Sequence, residues 1–281
     1  MPAYSIKELQ QHIIPILLDV DRVCREHNIR CYICDGTMLG AVRHGGFIPW
    51  DDDIDVCMPR PDYERFMQHA KEWLPERLEA ICAENDEDYP FPFGKIQDNT
   101  TTLIERMHID YMGGLYMGGL YIDVFPIDGM PQSKLLQELQ LWRYEYYKKV
   151  LYFLHRDPYK HGRGPSSWIP LLCRKLYSRT RLQQKIKRLM CKYDYEQMPM
   201  TVNFDDGHRG VMPKAFYGAP TPIRFEGQEV MGVAHPHEYL SCTYGEYMVI
   251  PKQEHQRTHN FQYLDYHLPY REYSDNRTFI R

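Results

Sequence analysis

The sequence predicts an α+β fold, a mixed sheet core flanked by helices with a basic helical insertion. Three observations predict it. Runs of strand pattern fall towards both ends of the chain, helical spacing of apolar residues fills the first 28 positions and most of 133–200, and no long repeat divides the chain into stacked units. With 281 residues, 43% of them hydrophobic, there is material for one large domain, 1–281, within which 133–200 is the insertion.

Taken in order, 6–28 places Leu9, Ile13, Ile14, Leu17, Leu18 and Val23 at helical spacing, interrupted by Pro15. A short strand follows at 29–34. Gly36 opens a turn, 37–43 is a short helix, and Gly45-Gly46 ends it. The next strand, 54–58, is stopped by Pro59 and Pro61, and 62–73 is a helix with Asp62 as its N-cap. Residues 93–98 and 101–105 are strands joined by a turn at Asn99-Thr100. The glycine-rich loop YMGGLYMGGLY nearly duplicates five residues and feeds a strong strand at 120–125. Residues 133–155 and 166–197 are helical, and HRDPYKHGRGPSS between them is a loop by its Gly and Pro content. A strand pattern near 223–230 precedes a basic, His-bearing tail.

The net charge of -4 hides an asymmetry. Between Arg143 and Lys192 stand fourteen Lys/Arg and two acids, Glu145 and Asp157, so this span is +12 and the remainder -16. Such a span is either a solvated helical face or a patch that meets an anionic partner. Because Trp168, Ile169, Leu171, Leu172, Leu176, Leu182, Ile186 and Leu189 accompany the cations, contact of 143–192 with an anionic membrane surface is one reading. Nucleic acid is not expected, since no recognition motif accompanies the charge. The N-terminus lacks a basic region before an uninterrupted apolar core, and no 18-residue uncharged apolar stretch occurs. The expectation is a cytoplasmic protein, at most peripheral on the inner face of the cell membrane. Eight scattered Cys fit reduced thiols, and Cys31-x-x-Cys34 has no second pair to complete a zinc site.

The segment richest in chemistry is DGTMLGAVRHGGFIPWDDDIDVCMPR, from Asp35 to Arg60, with Asp51, Asp52, Asp53 and Asp55 crowded together. In a strand, residues two apart share a face, so Asp53 and Asp55 project together while Ile54 and Val56 enter the core. Two such carboxylates repel unless a cation lies between them, and Mg²⁺ suits oxygen ligands facing phosphates. A lone acid, Asp123, sits between apolar neighbours in YIDVF. A calcium loop on Asp51, Asp53, Asp55 and Asp62 fails at Val56, where the turn needs Gly. Asp51 and Asp52 either cap the turn or bind a second ion, and Asp128 in PIDG is read as a turn residue. Backbone N–H groups at Gly36 offer an anion site.

The order of Gly36-Thr37, then Asp53-Ile54-Asp55-Val56, then Ile122-Asp123-Val124 resembles the nucleotidyltransferase superfamily. The longer string from Asp35, followed by FGKIQDNTTTLIE, YIDVFPIDGMP and YLSCTYGEYMVIPKQEHQRTH, is similar to the LicD family, to which fukutin-related protein is related. The resemblance runs from roughly residue 5 to 260 and is faint between 133 and 200. It implies a nucleotidyltransferase-like core and a divalent cation, Mg²⁺ or Mn²⁺, held by Asp53, Asp55 and Asp123 as the catalytic carboxylates. It implies phosphate held at Gly36 and Thr37. It also implies transfer of a phospho-alcohol, phosphocholine foremost, from a CDP-linked donor such as CDP-choline. The acceptor would be a hydroxyl of a surface glycan, such as lipopolysaccharide or teichoic acid, or its lipid-linked precursor. No zinc is carried across.

Arg43 is a further candidate for phosphate, its alternative being a cation at a helix C-terminus. Lys95, between apolar neighbours, must pair with an active-site Asp or touch phosphate. His259, with His255 and Arg257, is a candidate contact for donor or acceptor, and the general base is either one of these His or a metal-bound carboxylate. Some of the 23 Tyr are suited to a quaternary ammonium through cation–π attraction. Three other functions stand beside phosphotransfer: nucleotidyl transfer to a small molecule, glycan binding without catalysis, and a glycosyltransferase using Asp-x-Asp.

Overall fold

The computed structural model describes residues 4–86, 89–105, 117–159, 162–256, 258 and 261–274, and the architecture is mixed α+β. Among these residues the order is α1 (Ile6–Glu26), β1 (Tyr32–Ile33), α2 (Asp35–His44), β2 (Asp55–Pro59), α3 (Arg60–Trp73), β3 (Leu78–Ile81), β4 (Gly94–Asp98), β5 (Thr102–Glu105) and β6 (Tyr121–Met130). There follow α4 (Lys134–His155), α5 (Pro165–Leu176), α6 (Arg179–Met190), β7 (Met200–Asn203), β8 (Val211–Pro213), β9 (Thr221–Phe225), β10 (Gln228–Gly232), α7 (Pro236–Tyr244) and β11 (Phe261–Asp265).

The main sheet runs β1-β2-β6-β4-β3 and is mixed, since β2 lies parallel to β6 while β4 and β7 lie antiparallel to it. On one edge β6 carries β2. On the other its first half carries β4 and its second half β7, which pairs in turn with β8. This division curls the sheet. Ile122, Val124 and Ile127 of β6 are fully buried, as befits a central strand.

Helix α1 starts at Ser5, whose Oγ accepts the Glu8 N–H, and lays Leu9, Ile13, Ile16, Leu17 and Val20 into the core. Each such buried side chain contributes about 1.5–3 kcal/mol. The strand pattern near 223–230 is a hairpin, β9 and β10, turned at Glu226-Gly227, where both residues have positive φ. Its tip grips the end of α2. The Glu226 N–H donates to the Gly45 carbonyl at 3.0 Å and its carboxylate accepts the Phe47 N–H at 2.9 Å. A Cβ on Gly46 would lie 2.0 Å from Glu226 Oε1, so a side chain there would displace the Glu226 carboxylate from this contact. A second apolar cluster joins α4 and α6 to β7 and the end of β6 through Leu141, Tyr144, Leu151, Leu182, Ile186 and Val202.

Several expectations are corrected. Asp62 is not the N-cap of α3: Pro59 holds that position, Pro61 lies in the first turn, and Asp62 accepts from Arg30 Nε at 2.6 Å. The strand expected at 120–125 continues to Met130, because Asp128 is no turn residue. Its fully buried carboxylate is gripped by Arg60 through two 2.7 Å hydrogen bonds, which lets a charge stay inside the sheet. The helix expected over 166–197 breaks at Tyr177-Ser178 into α5 and α6 and ends at Met190. Most of the duplicated glycine loop lies outside the described residues. No helix among the described residues is long and apolar enough to cross a membrane.

Removing one partner of the Arg60–Asp128 pair strands the other charge. Arg60→Met is expected to cost about 3–5 kcal/mol in urea unfolding, and the double variant Arg60→Met with Asp128→Leu to recover most of that loss.

Candidate active site

Three strands deliver one row of charged side chains. Asp55 opens β2 and stands opposite Asp123 in the parallel ladder with β6. Asp123 stands opposite Lys95 in the antiparallel ladder with β4. Register partners share a face, so the row Asp55, Asp123, Lys95 crosses β2, β6 and β4 at one level. Lys95 Nζ lies 2.7 Å from Asp123 Oδ1 and 3.9 Å from Glu105 Oε1, and 3.2 Å above the Tyr121 ring centroid. Tyr121 OH in turn donates to Glu105. Of its two expected roles, Lys95 thus takes the pairing with an acid. It is 2% exposed, and two carboxylates and a ring face offset the cost of burying its ammonium.

The remaining aspartates close in from the loop before β2. Asp53 precedes the strand rather than lying on it, yet its charge bears on both Asp55 and Asp123. Carboxylate oxygens of Asp51, Asp52 and Asp53 gather within 4.8 Å of one another. The N-terminus of α1 holds this loop: Tyr4 OH donates to Asp52 Oδ2 at 2.8 Å, and Gln10 Nε2 to the Asp51 carbonyl at 2.8 Å. From α2, Thr37 Oγ1 accepts the Asp55 N–H at 2.8 Å, so this buried hydroxyl clamps the strand to the helix. A Cβ on Gly36 would sit 2.9 Å from Asp51 Oδ2 and 4.0 Å from Asp55 Oδ2. Glycine there leaves open the space the carboxylates face.

Burial, reinforced by Asp53, Asp35, Asp123 and Asp51, pushes the Asp55 carboxyl well above the usual carboxylate range. Burial also pushes Asp123 up to about 6, while Lys95 pulls it down. Oxygen-only donors, mutual repulsion and a side-chain-free approach at Gly36 fit a hard divalent cation.

The structure does not bring every candidate to this row. Arg43 closes α2, donating to the Tyr247 carbonyl at 2.9 Å and to His44 Nε2 at 2.9 Å. Among the described residues no hydrogen bond joins it to a carboxylate, although the Asp51 charge acts on it. His255 is exposed, 3.6 Å from Glu254. His259 and Arg257 lie outside the described residues.

Other residues escaped the sequence reading. Asp35, at positive φ, begins α2 beside Gly36. Its carboxylate accepts from Tyr239 OH at 3.0 Å and from Asn203 Nδ2 at 3.3 Å, and it shares a hydrogen bond with Asp206. Burial and the Asp35 charge push Asp206 up to about 9, so one proton serves the two carboxyl groups. Asp35 opens the quoted motif, and Asp205-Asp206-Gly207 is a second acidic turn, a signal open to notice. Nothing marks Tyr239 among 23 tyrosines.

In this α+β frame Gly36, in the first turn of α2, faces Asp51 and Asp55 beside the parallel pair β2 and β6. Residues 28–128 match the family described as LicD/FKTN/FKRP, nucleotidyltransferase domain. That span holds Gly36, Thr37, Asp53, Asp55, Lys95, Asp123 and Asp128. The chain is 27% identical over 278 residues to the lipopolysaccharide cholinephosphotransferase LicD of Haemophilus influenzae, covering 93% of this chain and 98% of that protein. It is 42% identical over 103 residues to an uncharacterized protein of Rickettsia typhi, 34% of this chain and 33% of that one.

A pH dependence follows from Asp206. The folded protein keeps a proton that the unfolded chain releases around its ordinary 3.8, so the contribution of this group to stability is fully present below that pH and is lost as pH rises towards about 9. Asp206→Asn is expected to flatten this slope and to melt higher than the native chain at about pH 8, read by calorimetry across the range.

Proposed function

We propose that the protein transfers a phospho-alcohol, phosphocholine in the first place, from a CDP-linked donor to a hydroxyl of a lipopolysaccharide-type glycan or its lipid-linked precursor, with Mg²⁺ or Mn²⁺. The observation that carries the reading is the row of Asp55, Asp123 and Lys95 beneath Gly36. Likeness to the Haemophilus influenzae enzyme across 93% of the chain supports the substrate class. We read Gly36 in the first turn of α2, the Asp-x-Asp segment and the third Asp on the neighbouring strand as a nucleotidyltransferase-like core, with 133–200 inserted in a single catalytic domain.

Asp53, Asp55 and Asp123 would hold the divalent ion, which when bound offsets diphosphate charge and eases departure of CMP. Lys95 keeps Asp123 ionised and fixed in the row. The Thr37 clamp keeps Asp55 at its level, and Gly36 leaves room for phosphate oxygens to approach. The acceptor oxygen attacks the phosphorus that bears the alcohol, the bond from that phosphorus to the CMP oxygen breaks, and the hydroxyl proton passes to a base.

CMP release from CDP-choline in the presence of a glycan acceptor tests the reading. The native chain should release CMP with Mg²⁺ or Mn²⁺ and stop with chelator. Asp55→Asn and Asp123→Asn should each lower the rate by about 100-fold or more, equivalent to ~2.7 kcal/mol of barrier. Lys95→Met should lower kcat by roughly tenfold with little change in KM, since it acts through Asp123. Consumption of CTP with release of pyrophosphate, and none of CDP-choline, would favour nucleotidyl transfer instead.

A further inference from the structure

Helix α4 has two apolar faces, and only one of them is used. Leu141, Tyr144 and Leu151 are buried against α6 and β7, while Leu135, Leu139, Trp142 and Tyr146 lie about half a turn away around the helix and face solvent. Trp142 is 67% exposed and stacks on Tyr146. Helix α5 is turned the same way: Ser167 and Pro170 are its buried residues, while Trp168 (67%), Ile169, Leu172 and Leu176 (65%) point outward. The two stripes meet where Tyr146 and Tyr177 share a 2.8 Å hydrogen bond, and Arg174 ties α5 to the end of α4 through the Arg156 carbonyl at 2.9 Å. Eleven of the fifteen large hydrophobics exposed among the described residues fall between 135 and 176, so this is a patch and not scatter.

Charge selects what covers it. From 158 to 193 the sequence holds ten Lys/Arg and no acid. Arg143 and Lys149 flank the α4 stripe, and Arg174 and Lys175 stand exposed on α5. The acids of α4, Glu138 and Glu145, border one side of the stripe, sharing a cleft with Trp142, Asp205 and His208, and Glu138 is 3.4 Å from His208. A second copy of the chain seated on the patch would oppose two segments of like charge. An anionic bilayer offers apolar depth to the stripe and negative headgroups to the cations, and Trp and Tyr favour that boundary.

We infer that the outer faces of α4 and α5 form a docking surface that lies in the interface of an anionic membrane. The inference stands independently of the phosphotransfer reading, because it concerns residues outside the carboxylate row. In co-sedimentation, the native chain should bind vesicles of phosphatidylcholine mixed with phosphatidylglycerol at least about tenfold more tightly than vesicles of phosphatidylcholine alone, and lose most of that preference as salt is raised. The surface variant Trp142→Glu with Trp168→Glu should lose binding to both vesicles by about tenfold or more while keeping its circular dichroism and melting temperature. Arg174→Gln with Lys175→Gln should weaken only the binding to phosphatidylglycerol, on the order of tenfold. Unchanged sedimentation in the tryptophan variant would overturn the inference. So would a concentration-dependent dimer that the same variant dissolves, with no sedimentation on either vesicle.

Discussion

Carboxylates in this molecule repel one another at close range, and the architecture around them exists to hold them together against that repulsion. Asp55 and Asp123 face each other across a parallel ladder, Asp53 bears on both, and Asp51 leans in towards Gly36. Left to itself such a group would spread apart or take up protons. It is prevented from spreading by attachments on every side: α1 through Tyr4 and Gln10, α2 through Thr37, and β4 through Lys95. Each attachment ends on a different element, so the repulsive energy is distributed over much of the sheet. That strained concentration of negative charge is what a divalent cation would relieve.

The same logic explains the pairing of interior charges elsewhere. Arg60 and Asp128 satisfy each other bidentately, Lys95 is shared between Asp123 and Glu105, and Asp35 and Asp206 settle on one proton. Three solutions to buried charge appear around one sheet: a fork, a shared cation and a shared proton. The choice tracks the groups at hand. A guanidinium fits both oxygens of one carboxylate, an ammonium serves several acceptors, and two buried acids with only the exposed Arg209 at 3.4 Å from Asp206 still retain a hydrogen between them.

Much of the carboxylate row was legible because alternation along a strand is local. Asp55 declares its face by alternation with Val56, while Asp53, expected on the same strand, lies in the loop before it, and Asp123 declares itself by its apolar neighbours. Lys95 was legible as a buried cation in need of a partner, although which acid it meets depends on strand order. What escaped was decided by tertiary contact. Asp128 sits in a Pro-Ile-Asp-Gly string that looks like a turn, and only Arg60 on another element makes it a strand residue. Asp206 and Tyr239 reach Asp35 from distant positions, and no spacing announces that. The break at Tyr177-Ser178 was hidden by good helix formers on either side.

The place of β6 has a consequence for how the chain assembles. Both strands that flank its first half, β2 and β4, precede it in the chain, and they have no ladder with each other. The sheet therefore cannot zip up in the order of synthesis. A late strand must be inserted between two earlier ones, and a shift of a single residue during that insertion would turn Asp123 inward and present Ile122 or Val124 in its stead. Correct threading and assembly of the charged row are accordingly the same event, and a misthreaded molecule would betray itself by the loss of that row.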